Sequence, residues 1–118
     1  MTTTTSASVI SSEKVEGTSV YNLAGEKLGS IDDLMIDKSS GNVRYAVLEF
    51  GGFLGMGTDR YPLPWGALRY DTRKDGYVID LDKDRLKDAP HYRQDEVPEY
   101  SAAYGRSVHD YYSVPWYL

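Results

Sequence analysis

A chain of 118 residues, 41% hydrophobic and 26% charged, has room for one domain and not two; at that length roughly two-thirds of the unfolded surface is buried, so no metal or disulfide is needed for stability. The absence of cysteine excludes disulfides, thiolate nucleophiles, cysteine-ligated zinc and iron–sulfur clusters. A net charge of −5, from 13 Lys+Arg against 18 Asp+Glu, weighs against a duplex nucleic-acid binder, whose affinity comes from clustered basic residues that release phosphate counterions.

Charge is unevenly spread. Residues 13–59 carry four basic and eight acidic side chains, residues 60–93 eight and six, and residues 94–118 one and four. The middle segment is a source for a modest basic patch, although interspersed solvated charge is the expected outcome. Residues 1–12 are mostly Thr and Ser, with only Val9 and Ile10 to bury. That is too little to offset ordering entropy, so a disordered tail is expected. No stretch reaches the roughly eighteen apolar residues of a membrane span. Thr2–Ser12 lacks the basic and apolar regions of a secretory signal, and a soluble, cytoplasmic protein is the expectation.

Residues 13–92 read as short strands between turns. Ser19–Tyr21 is β-prone and is closed by Asn22 and Ala24–Gly25–Glu26. Lys27–Asp37 follows, with Leu28, Ile31, Leu34, Met35 and Ile36 as its apolar content. Lys38–Asn42 is a loop of hairpin length, with Gly41 suited to a positive φ. Val43–Phe50, rich in β-branched and aromatic residues, is the strongest strand, and Gly51–Gly52 ends it. Arg60–Tyr70 is interrupted by Pro62 and Pro64, which cannot donate to a ladder, so an edge strand or extended connector is expected there. Asp71–Gly76 is a polar turn and Tyr77–Leu81 a final strand. Asp84 is placed to cap a helical turn over Arg85–Lys87 that stops before Pro90. Short strands at regular spacing predict an all-β fold, a small barrel.

Residues 93–118 differ in kind. With Pro98 at the first helical position, Glu99–Tyr112 is compatible with a helix, which Gly105 weakens by up to about 1 kcal/mol. Tyr100, Tyr104, Val108 and Tyr111 fall three or four apart and form one stripe, mostly of tyrosine. The stripe is expected to cover an open flank of its own barrel. The alternative is docking on a second copy or another protein, which suits a ring that is apolar at one end and polar at the other.

Candidate chemistry is sparse. Asp80, Asp82 and Asp84 have the spacing that opens a calcium loop, but Arg85 and His91 stand where an EF-hand needs Gly and Glu. Gly51–Gly57 is glycine-rich without the Lys–Ser/Thr of a P-loop, and Arg60 replaces the third glycine of a dinucleotide fingerprint. Phe53, Leu54 and Met56 sit on that glycine frame, either as an apolar contact tip or as a plug for one barrel end. His91 and His109 have no metal-ligand spacing and are expected at the surface. Asp32 and Asp33 point to opposite sides of any strand, so they do not form an acid–base pair. No catalytic residue, metal ligand or cofactor is expected.

Leu28–Gly29–Ser30–Ile31–Asp32–Asp33–Leu34–Met35–Ile36–Asp37, then Gly41–Asn42–Val43–Arg44–Tyr45–Ala46–Val47–Leu48, then Tyr61–Pro62–Leu63–Pro64–Trp65–Gly66–Ala67–Leu68, resembles the PRC-barrel family in order and spacing. The resemblance spans approximately Glu13 to Leu81. It implies a small β-barrel like the cytoplasmic part of the photosynthetic reaction-centre H subunit, or the C-terminal barrel of a maturation factor for the small ribosomal subunit. Both barrels are assembly modules with no catalytic motif to transfer, and this chain looks like a free-standing member. The resemblance also gives Trp65 a structural role, as an indole buried at a barrel end after the bend made by Pro62 and Pro64.

The function expected from the sequence is therefore a non-catalytic adaptor that works by protein–protein contact and self-associates, as a homodimer. Its expected contacts are Phe53, Leu54, Met56, Tyr100, Tyr104 and Tyr111. A ribosome or RNA assembly factor using the region of Arg69, Arg73 and Lys74 is the first alternative. A small-ligand binder or enzyme, the second, needs a concave pocket of convergent titratable groups. A barrel of this size has an interior only wide enough for its own side chains. The expected division is a tail (1–12), a barrel domain (13–92) and a partly helical extension (93–118).

Overall fold

A computed structural model describes residues 8–51 and 57–116. Helix α1 (Ser12–Val15) leads into β1 (Ser19–Asn22), β2 (Lys27–Ile36), β3 (Val43–Gly51) and β4 (Thr58–Pro64). A 3-10 turn (Trp65–Ala67) precedes β5 (Leu68–Asp71) and β6 (Gly76–Ile79). Helix α2 (Lys83–Lys87), the two-residue β7 (Tyr92–Arg93) and helix α3 (Ala102–Tyr111) complete the chain. The strands form one seven-stranded sheet in the order β5-β6-β1-β2-β3-β4-β7. All neighbours are antiparallel except β1 and β6, which are parallel.

The β2–β3 hairpin forms where the alternation and the loop chemistry call for it. Gly41 closes it at φ 80°, a conformation with little steric cost only for glycine. The Asp37 carboxylate accepts the Ser39 and Ser40 backbone N–H groups. These bonds hold its carboxyl below the usual carboxylate range. Along β3, Ala46, Leu48 and Phe50 enter the main core with Val20, Leu28, Ile31, Leu63 and Leu86. Tyr45 and Val47 are also buried, but alternation points them to the other side of the sheet. That second side is covered by the C-terminal segment: Tyr45 meets Tyr100 and His109 edge-on, at 5.2 and 5.3 Å between ring centroids.

The sheet curls without closing. β4 and β5 stand five places apart in the strand order, yet only the Trp65–Ala67 turn separates them in sequence. Three residues reach at most about 10 Å, so the two ends of the sheet approach one another at this corner. A turn joins them there, not a ladder of hydrogen bonds. The expectation of a β-rich fold with a C-terminal helix thus holds, but that of a closed barrel does not: β5 and β7 stand at the two ends of the sheet.

Several boundaries differ from the sequence reading. Arg60–Tyr70 is two strands and a turn, because the chain bends after Pro64. Pro62 and Pro64 pair with Val47 and Tyr45 of β3, and on the other side β7 reaches only Asp59 and Arg60. Two prolines spaced by two turn their missing donors the same way, toward a side that needs none. The α2 cap is Asp82, whose carboxylate accepts the Arg85 N–H at 2.8 Å, and not Asp84. Helix α3 starts later than expected because Ser101 caps it, accepting the Tyr104 N–H at 3.2 Å; Pro98 and Tyr100 precede it. β7 and α1 were absent from the sequence reading. Among the described residues no helix is long and apolar enough to cross a membrane.

Candidate functional site

An aromatic seam joins the C-terminal segment to the sheet. Tyr100 stands 5.2 Å from the Tyr104 ring and 6.3 Å from Tyr92, and its hydroxyl shares a 2.7 Å hydrogen bond with the Tyr92 hydroxyl. His109, expected at the surface, is buried. Its Nδ1–H donates to the Gly105 carbonyl at 2.8 Å, and the Trp116 indole lies 5.1 Å away. The helix turns His109 inward beside Gly105 and Val108, which are buried on the same side of α3. Burial raises the Tyr100 phenol well above its ordinary value and pushes Tyr104 up to about 12. The hydroxyls of Tyr104 and Tyr112 and the Trp116 indole N–H are buried with no hydrogen-bond partner among the described residues. The seam is a packing device: burial holds its phenols in the protonated form at neutral pH.

At the far end of α3 lies a cleft of about 320 Å³, lined among others by Ala67, Leu81, Arg85, Tyr111 and Tyr112. Tyr111 and Arg85 clasp each other there. The Arg85 guanidinium donates to the Tyr111 carbonyl at 3.3 Å and lies 5.0 Å over its ring, while the Tyr111 hydroxyl donates to the Arg85 carbonyl. These contacts tie α2 to α3. Burial also raises the Tyr112 phenol.

A second, smaller cleft of about 90 Å³ lies over β2 and β4, with Asp32, Asp33, Arg60 and Tyr92 on its walls. Ile31 pairs with Leu48 and Asp33 with Val47, so Asp32 is the extra residue of a β-bulge, and a bulge re-aims a side chain. Asp32 accepts from the Arg60 Nε–H at 3.0 Å, and the Arg60 side chain is only 6% exposed against 41% for Asp32. Arg60 also donates to Thr58 Oγ1 at 2.8 Å. This ion pair was invisible in the sequence, since strict alternation sends Asp32 elsewhere and nothing marks the bulge.

The remaining sequence candidates scatter. Trp65 is half-buried, packed against the core and 5.5 Å from the Tyr77 ring, and not fully enclosed. Pro62 and Pro64 are fully buried. Phe53, Leu54 and Met56 lie outside the described residues. Arg69, Arg73 and Lys74 do share the β5–β6 hairpin, but Asp71 and Asp75 share it with them, and Lys74 sits 5.1 Å over the Tyr21 ring. Asp80, Asp82 and Asp84 are exposed. His91 stacks on Tyr61 at 4.7 Å, far in role from His109. Among the described residues no group of three His, Asp or Glu side chains is arranged to hold a metal ion.

With this geometry in hand, comparison with known proteins places the chain. The PRC-barrel domain matches residues 8–86, and the chain belongs to the PRC-barrel family. An uncharacterized protein of Deinococcus radiodurans is 30% identical over 81 residues, which make up 69% of this chain and 28% of that relative. The chain thus spans little more than a quarter of the relative's length. Among solved structures, a putative 16S ribosomal RNA processing protein RimM from Pseudomonas aeruginosa is similar at a TM-score of 0.45 and 20% identity, over 70% of this chain and 50% of the other.

Proposed function

We propose that the chain is a non-catalytic adaptor or assembly module that acts through protein–protein contacts. The observation that carries this reading is a filled interior. Ile31, Leu48, Leu63 and Leu86 are fully buried in the core, and the opposite side of β3 and β4 is covered by the chain's own α3 and tyrosines. Work is left to the outside. Residues 13–92 form the module and residues 93–118 brace it. Tyr100 and Tyr104 are engaged in that brace, so the contact surface shifts to the exposed apolar side chains Leu23, Ile36 and Val97, at 69%, 52% and 63% exposure, together with Phe53, Leu54 and Met56.

The test is affinity capture with the intact chain, followed by reconstitution of the captured protein with purified chain. The reading requires a stoichiometric complex that Leu23→Lys or Ile36→Lys weakens at least about tenfold, both positions being exposed and dispensable for folding. RNA binding that falls steeply with salt, or turnover of a small molecule by the purified chain, overturns it.

A further inference from the structure

We propose that β5 is a self-pairing edge through which two copies of this chain join their sheets antiparallel, about a two-fold axis at Tyr70. β5 bonds β6 on one side, and among the described residues no strand lies on the other. The direction of its free groups follows from one bond. The Leu68 N–H turns back to the Trp65 carbonyl, away from β6, and strand alternation then turns the N–H and C=O of Tyr70 outward as well. A Tyr70 that faces outward can exchange both hydrogen bonds with the Tyr70 of a second copy.

The register that results is self-complementary. With Tyr70 on the axis, Arg69 stands opposite Asp71 of the other copy, and Asp71 opposite its Arg69. These are the closely spaced, non-hydrogen-bonded positions of an antiparallel ladder, where opposite charges reinforce pairing. Arg69 forms no salt bridge among the described residues, and both Arg69 and Tyr70 are exposed. Shifting the register by one residue loses both charge pairs at once. The opposite end of the sheet is treated differently, since the two-residue β7 and buried Pro62 and Pro64 blunt it, as natural edges are blunted. An isologous contact of this kind closes at two copies. It concerns the purified chain alone and stands apart from the adaptor reading, so the failure of either leaves the other in place.

The experiment is sedimentation velocity on the full chain over a concentration series, beside Arg69→Glu, Asp71→Arg, their equimolar mixture, and Tyr70→Pro. The wild type associates to a dimer. Arg69→Glu and Asp71→Arg each weaken it about tenfold or more when alone, since two attractive pairs become repulsive. Mixed, they restore a dimer, because each substitution then faces the other. Tyr70→Pro removes an outward donor, keeps the native circular dichroism and abolishes the dimer. Because Asp71 also accepts the Arg73 N–H in the hairpin turn, Arg69→Glu and Tyr70→Pro decide the matter if Asp71→Arg unfolds. A wild type that is monomeric throughout, a dimer that survives Arg69→Glu and Tyr70→Pro, or a folded mixture that stays monomeric overturns the proposal.

Discussion

Gly105 sits mid-helix, where glycine costs about 1 kcal/mol relative to alanine, so Gly105→Ala ought to stabilise an exposed helix. In this fold a Cβ at Gly105 would meet two Trp116 ring carbons at 2.3 and 2.5 Å and the Tyr45 hydroxyl at 2.6 Å. Carbon contacts settle near 3.5–4.0 Å, so the indole must retreat by about 1 Å and give up its edge contact with His109 and its place under Arg44. Tyr45 is only 5% exposed and is held by Tyr100 and His109, so it has little room to yield. Overpacking of this kind costs roughly 1–3 kcal/mol. Set against the helix gain, the net is a loss of up to about 2 kcal/mol, a fall of up to about 8 °C in Tm for a domain of this size. Urea and thermal denaturation measure it. In a Trp116→Ala/Tyr45→Phe background both obstacles are gone, and Gly105→Ala becomes stabilising by about 1 kcal/mol. A rise in Tm for Gly105→Ala in the otherwise native chain would refute the docking of α3 described above.

Gly29→Ala places a Cβ 2.1 Å from the backbone carbonyl of Glu49; backbone cannot swing aside, and a loss of about 3 kcal/mol or more is expected in urea denaturation, with a loss under 1 counting against the β2–β3 register. Asp32→Ala leaves the Arg60 charge buried beside Thr58 alone. Because Asp32 is partly exposed and screened, the expected cost is about 1–2 kcal/mol, and the double variant with Arg60→Met should cost less than the sum of the two single changes; strict additivity would show that the pair is not coupled. In alkali, the raised phenols of Tyr100, Tyr104 and Tyr112 make the folded chain hold more protons than the unfolded one. Stability is therefore fully present below about pH 10 and falls as the pH climbs from there through about 12. Absorbance at the phenolate band should rise in a late step coincident with loss of circular dichroism, whereas eleven tyrosines titrating together near pH 10 would refute the seam.

What the sequence revealed and what it hid divide along the range of the interactions. The β2–β3 hairpin was legible because alternation, Asp37 and Gly41 act within a few residues of one another. The tyrosine stripe was legible as a face, from its spacing alone. Its partner was not, because Tyr45 and Tyr92 meet it only after β3 and β7 are placed. His109 was misjudged for the same reason: it flanks Val108 on the inward side of α3, and a lone histidine carries no local sign of burial. Asp32 and Arg60 were hidden more deeply, since a single-residue bulge reverses the side on which a strand presents its charge. The caps of α2 and α3 were settled by competition among neighbouring candidates (Asp82 against Asp84, Ser101 against Pro98), which only the backbone geometry resolves.

The open sheet follows from how its two ends are made. Closing a barrel requires the last strands to share a ladder, yet β7 has two residues and the outer side of β4 is proline at positions 62 and 64. That side has no donors to offer beyond Arg60. The chain instead crosses the gap through Trp65–Ala67, and the C-terminal segment fills the space beside it: Val114 approaches Gly66, while Tyr111 and Tyr112 pack on the core with Trp65 and Leu68. The prolines that prevent a ladder on one side therefore create the need for the helix that covers it. At the other end of the sheet β5 pairs with β6 alone among the described strands. Among the described residues a ten-residue helix and a seam of tyrosines cover one flank of the sheet, and no strand pairs with the far side of β5.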